Sequence, residues 1–128
     1  IEVRASFMFA IPGETPEMAK KTIDFAIELE PEYAQFCITT PYPGTKLYQA
    51  AKSSGRLLDD FSKYNIWEVV YIPEGYKNED EIIAMEKMAM RKFYFRFKFI
   101  INKLKQIRSI EDLRRYFNGF KMAIGFAS

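Results

Sequence analysis

One cysteine, Cys37, and no histidine in 128 residues narrow the chemistry this chain can do unaided. A thiolate nucleophile needs a neighbouring base, and an iron–sulfur or zinc site needs several thiolates or imidazoles. Cys37 supplies neither set by itself and reads as a small buried or lumen-lining residue. What recurs is a turn. Pro12 and Gly13 lead through Glu14 to Thr15, and Pro43 and Gly44 lead to Thr45. Each copy follows an apolar run and precedes an amphipathic one, the order expected for strand, tight turn and capped helix. Glu14, just ahead of a helix start, has two readings, a partner for the helix dipole or part of a ligand's surroundings. Tyr42 can reach a ligand from its loop or simply pack.

Two successive strand–helix units require parallel strands, because the helix is the crossover that returns the chain to the same end of the sheet. In such folds ligands gather at the carboxyl ends of the strands, here Ala10 to Thr15 and Thr39 to Thr45. By the two-residue period of a strand, Val3, Ala5, Phe7 and Phe9 share one face and Arg4, Ser6, Met8 and Ala10 the other. In the second run Ala34, Phe36 and Ile38 oppose Tyr33, Gln35, Cys37 and Thr39. If the sheet belongs to a β/α barrel, Arg4, Ser6, Met8, Gln35, Cys37 and Thr39 line its lumen. Between the strands, Thr15 as N-cap and Pro16 at the first helical position predict a helix to about Leu29, closed by Pro31. Its apolar stripe is read as Met18, Thr22, Phe25, Ala26 and Leu29. A second helix starts at Thr45 and ends near Gly55. Trp67 to Ile72 is a candidate third strand ended by Pro73. Asn78 and the acidic turn Glu79 to Glu81 open a helix predicted to run unbroken to about Ile107. Ser109 caps a last helix from Ile110 to about Phe117, with Asp112 at the matching box position.

The composition, 48% hydrophobic and 16% aromatic, suits one packed domain and excludes a disordered chain. The net charge of +2 is modest, yet from Lys87 to Arg108 the charged residues are all basic. Such a run is a solvated face opposite an aromatic stripe, or a contact for phosphates or an anionic membrane surface. No apolar run approaches the roughly 18 residues that cross a bilayer, and no secretory signal opens the chain. A lone thiol fits a reducing compartment, so the expected location is the cytoplasm. The sequence begins without Met and almost directly in a strand, so it is expected to be a piece of a longer polypeptide.

Phe9 to Thr15 with Asp24, Phe25 and Ala26, and Tyr33 to Tyr48, resemble the fifth and sixth βα units of radical S-adenosylmethionine enzymes. The class resembled most carries an N-terminal cobalamin-binding domain and includes the anaerobic magnesium-protoporphyrin monomethyl ester cyclases. IPGET is similar to that family's Gly-Leu-Pro-Gly-Glu-Thr, TPYPGTKLY to its second signature, and Arg91 to Leu104 to its aromatic-basic C-terminal helix. The resemblance implies an α/β fold, a fragment of a partial TIM-type β/α barrel in residues 1–72, followed by a helical extension in residues 73–128. It implies that the backbone at Ala10, Ile11, Ile38 and Thr39 flanks the adenosine of S-adenosylmethionine, while Met8, Gln35, Cys37 and Tyr42 face a small-molecule substrate. Two departures stand out. Ala10 replaces a usual Gly. The family's [4Fe-4S] cluster needs three cysteines where this chain has one. The cluster loop and the cobalamin domain are therefore expected upstream in the same polypeptide, and the chain alone is not expected to be an active oxidoreductase or methyltransferase.

A rival reading, from a different class, is a non-catalytic module whose aromatic-basic helix binds a membrane surface or, less aptly, nucleic acid. An incomplete barrel also leaves strand edges open, so the isolated chain is expected to form a homodimer, with Phe93, Phe97 and Ile100 in the contact.

Overall fold

The computed structural model describes residues 2–65 and 68–127. Its elements in chain order are β1 (Arg4–Phe9), α1 (Pro16–Leu29), β2 (Tyr33–Ile38), α2 (Lys46–Ser53), β3 (Arg56–Leu57), a 3-10 turn (Phe61–Lys63), β4 (Tyr71–Ile72), α3 (Glu79–Tyr94), α4 (Phe97–Gln106) and α5 (Ile110–Ala127). The fold is mixed α/β. β1 and β2 pair in parallel, Arg4 opposite Tyr33 and Phe9 opposite Ile38, with α1 as the crossover.

Alternation decides which sheet face is covered. Phe9, Ala34 and Phe36 are buried with Ile23 and Ala26 of α1 and Met85, Ala89 and Phe93 of α3. Phe36 is the hub: its ring stacks on Phe7 (5.5 Å between centroids) and Phe9 (5.7 Å) and meets Phe93 edge-on at 6.0 Å. Such pairs add about 0.5–1.5 kcal/mol each beyond the area they bury. The opposite face, carrying the cross-strand pairs Ser6–Gln35 and Met8–Cys37, is open.

Helix α1 has the expected limits and Ala26 faces inward as expected, but its companions on the inner stripe are Ala19 and Ile23, not Met18, Thr22, Phe25 and Leu29. Met18, Phe25 and Leu29 are about half exposed. The two alanines let the helix backbone approach the sheet, so the bulky residues fall at the margins, where Phe25 meets the edge of Phe7 at 6.5 Å. The helix stops at Glu30, left-handed at φ 48°, because Pro31 denies it the helical region.

The helix predicted from Asn78 to Ile107 breaks at Phe95 and Arg96 into α3 and α4. Neither Gly nor Pro causes this. Arg96 is extended, and its guanidinium donates to the carbonyls of Phe93 (2.8 Å) and Ile27 (3.0 Å) while lying 4.2 Å over the Phe93 ring. One side chain thus satisfies carbonyls at the ends of two helices, which an uninterrupted helix could not do. Phe93 is core, Ile100 is half-buried, and Phe97 is exposed.

The candidate third strand is shorter than expected and lies elsewhere. Trp67 falls outside the described residues, and Tyr71–Ile72 pairs antiparallel with Arg56–Leu57, extended by Leu58 N–H to Val70 O at 2.8 Å. The connector after Gly55 captures this run before it can join the parallel sheet. At the other edge of β2, the Tyr94 hydroxyl donates to Ala34 O (2.6 Å) and accepts from Ala34 N–H (3.2 Å). The Ser109 hydroxyl caps α5 by accepting from Asp112 N–H at 3.1 Å, and the helix continues past Phe117 to Ala127. Among the described residues no helix is long and apolar enough to cross a membrane.

Candidate functional site

The carboxyl ends of β1 and β2 carry the same local device. Glu14 N–H donates to Ile11 O (3.0 Å) and Thr45 N–H to Tyr42 O (3.3 Å), each closing a four-residue turn with Pro second and Gly third. Gly13 (φ 85°) and Gly44 (φ 86°) take the left-handed conformation that a type II turn demands at its third position. Thr15 then caps α1 by accepting from Met18 N–H at 3.4 Å, and Thr45 caps α2 by accepting from Tyr48 N–H at 3.1 Å.

Glu14 makes the two copies differ. It is 4% exposed, and its Oε1 accepts from Ala10 N–H (2.8 Å) and from the Tyr76 hydroxyl (2.6 Å). Hydrogen bonds to a carboxylate contribute about 1.5–3 kcal/mol each, so this pair offsets much of the cost of burying the acid. Ala10 itself is left-handed, φ 60°, a conformation that costs an L-residue roughly 1–2 kcal/mol. The backbone following β4 presses on the same turn: a Cβ added at Gly75 would lie 2.6 Å from Glu14 O. Burial and the bond to Glu14 push the Tyr76 phenol far above its ordinary range, so it stays a proton donor. A partnership with the helix dipole alone does not describe this. It is a buried strut, and nothing in the local sequence points to Tyr76.

Thr39 joins the strand ends. Its N–H (2.9 Å) and Oγ1 (2.7 Å) both donate to Phe9 O, and the residue is fully buried. Ala10 and Thr39 therefore sit side by side with their polar groups engaged within the protein. Ile11 beside them is 39% exposed, and the half-buried Ile38 packs against the cluster of Ala10, Tyr76 and Ile82. Met8 and Gln35 are exposed on the open face, and Cys37 is half-buried beside them. Burial and the Glu86 carboxylate raise the Cys37 thiol, partly offset by Gln35, which keeps it protonated and unreactive. Tyr42 lies further out, half-exposed, its ring 6.3 Å from Tyr64.

Among the described residues no group of three His, Cys, Asp or Glu side chains could hold a metal. With one cysteine in the sequence, the residues present do not fit an iron–sulfur cluster.

Known proteins similar to this chain include methyltransferases. It is 37% identical over 100 residues to an uncharacterized methyltransferase of Pyrococcus horikoshii, covering 77% of this chain and 22% of that protein. It is 27% identical over 96 residues to the anaerobic magnesium-protoporphyrin IX monomethyl ester cyclase of Cereibacter sphaeroides, covering 75% and 15%. A bacteriochlorophyllide d C-12(1)-methyltransferase of Chlorobaculum tepidum is 24% identical over 90 residues, covering 68% and 20%. No family profile and no solved structure matches the chain. The chain spans about a fifth of the length of these curated relatives.

Proposed function

We propose that the chain is the carboxyl-terminal part of the barrel of a radical S-adenosylmethionine enzyme of the methyltransferase or cyclase kind, and that it binds the cofactor's adenosine rather than initiating the reaction. What carries the reading is the Glu14 strut. It spends a buried acid and a buried tyrosine on fixing a left-handed backbone at the end of β1, next to Thr39 at the end of β2. A loop end merely connecting a strand to a helix needs no such fixing, as the second copy demonstrates with Thr45 alone.

S-adenosylmethionine, when bound, supplies the one-carbon or hydrogen-abstracting chemistry. The chain's own residues bind and orient: Ile11 and Ile38 provide faces for the adenine ring, Thr39 and Ala10 keep the strand ends at a fixed separation, and Met8, Gln35 and Cys37 border the substrate's space. Tyr42 closes the outer rim. The cluster and any cobalamin are held by other parts of the polypeptide, and the sheet continues into a partial barrel beyond β1.

Reconstitution of the full-length polypeptide with iron and sulfide is the test. Under reductant it is expected to cleave S-adenosylmethionine, and Glu14→Gln is expected to weaken cofactor binding about tenfold with the fold retained. Well-formed holoprotein that neither binds nor cleaves the cofactor would overturn the proposal.

A further inference from the structure

Helices α4 and α5 carry large apolar side chains that the fold does not use. Phe97 is 79% exposed, Leu104 59%, Ile110 86%, Leu113 52% and Phe117 66%. They are not scattered. Phe97 and Leu104 are seven apart on α4, and Ile110, Leu113 and Phe117 follow a three-then-four spacing on α5, so each set forms one helical stripe. The sides adjoining the stripes are the ones that pack: Lys103 lies 4.3 Å over the Tyr33 ring and 5.7 Å from the Tyr116 ring, and the Tyr116 hydroxyl donates to Gln106. Exposed cations flank the stripes, Lys105 and Arg108 from α4 and the bend, Arg114 and Lys121 from α5, with Arg115 on the far side of α5. From Phe97 to Lys121 the acids are Glu111 and Asp112, both in the first turn of α5, where they answer its dipole.

We propose that α4 and α5 form a docking surface for an anionic phospholipid bilayer, lying in the interfacial plane with the apolar stripes among the acyl chains and the cations among the headgroups. Charge complementarity and the apolar stripes select this occupant together. A basic strip alone would serve a nucleic acid equally well, but phosphate contacts leave Phe97, Ile110 and Phe117 facing water. A second copy of the chain would bury the stripes but would set one cluster of cations against another. Since no described helix can span the membrane, the contact is peripheral.

Co-sedimentation with vesicles of phosphatidylcholine, with and without phosphatidylglycerol, tests this. The chain is expected to bind only the anionic vesicles and to weaken steeply as salt rises. Each basic side chain near such a surface accounts for about fivefold in affinity, so Arg114→Glu with Lys121→Glu is expected to cost well over tenfold. Ile110→Ser with Phe117→Ser is expected to cost at least as much, while circular dichroism shows an unchanged fold. A Phe117→Trp variant gives an independent readout, a blue shift of emission on anionic vesicles alone. Equal binding to both vesicle types, no binding to either, retention on duplex DNA in place of vesicles, or a dimer that the Ile110/Phe117 pair of changes dissociates without any vesicle binding would each overturn the proposal.

Discussion

The turn after β1 and the turn after β2 share a Pro-Gly pair, a left-handed glycine and a threonine cap, yet one is locked into the interior and the other stands in solvent. A single residue separates them. In the second copy the residue that closes the turn, Thr45, is also the helix cap, whereas in the first the two tasks are split between Glu14 and Thr15. The extra residue turns inward, takes Ala10 N–H and meets Tyr76 from 62 positions away. Local chemistry makes a turn, and it takes a tertiary partner to make that turn rigid.

Glu14→Ala should separate the copies most sharply. It leaves a buried amide and a buried phenol without their acceptor, which predicts a loss of about 3 kcal/mol or more in urea unfolding. Tyr76→Phe should cost about 2 kcal/mol, and the double variant should cost clearly less than the sum of the two. Additive costs would mean that the two side chains do not act together. In the second copy, Thr45→Ala should cost only the cap, about 1 kcal/mol, seen as a small shift in the urea midpoint. A loss as large as that of Glu14→Ala would erase the distinction. The smallest effect expected is a gain: Ala10→Gly relieves a left-handed alanine and should raise stability by up to about 1 kcal/mol, after the added freedom of the unfolded chain is subtracted. A lowered melting temperature would show that Ala10 is not strained at φ 60°.

Whatever depended on neighbours in sequence could be read from it. Thr15-Pro16 and Pro31 bracket α1, and the two-residue alternation of Phe7, Phe9, Ala34 and Phe36 marks the covered sheet face. Contacts across the fold could not be read in the same way. Arg96 breaks a helix because Ile27 offers it a carbonyl, and no local propensity encodes that. Ala19 and Ile23 displace Met18 and Phe25 from the inner stripe because closeness to the sheet favours small side chains over greasy ones. At the candidate site the strand ends were legible from the repeat, while Tyr76 carries no motif and is found only by asking what a buried acid is bonded to.

The tyrosine at the margin of β2 has a bearing on how copies of the chain can assemble. A two-stranded sheet ordinarily has a valence of two, and units of valence two polymerise. By engaging both backbone groups of Ala34, Tyr94 occupies the start of the β2 edge and withholds two of the groups that a further strand would need there. Losing the Tyr94 hydroxyl would expose them and make that stretch of edge a better template for another chain.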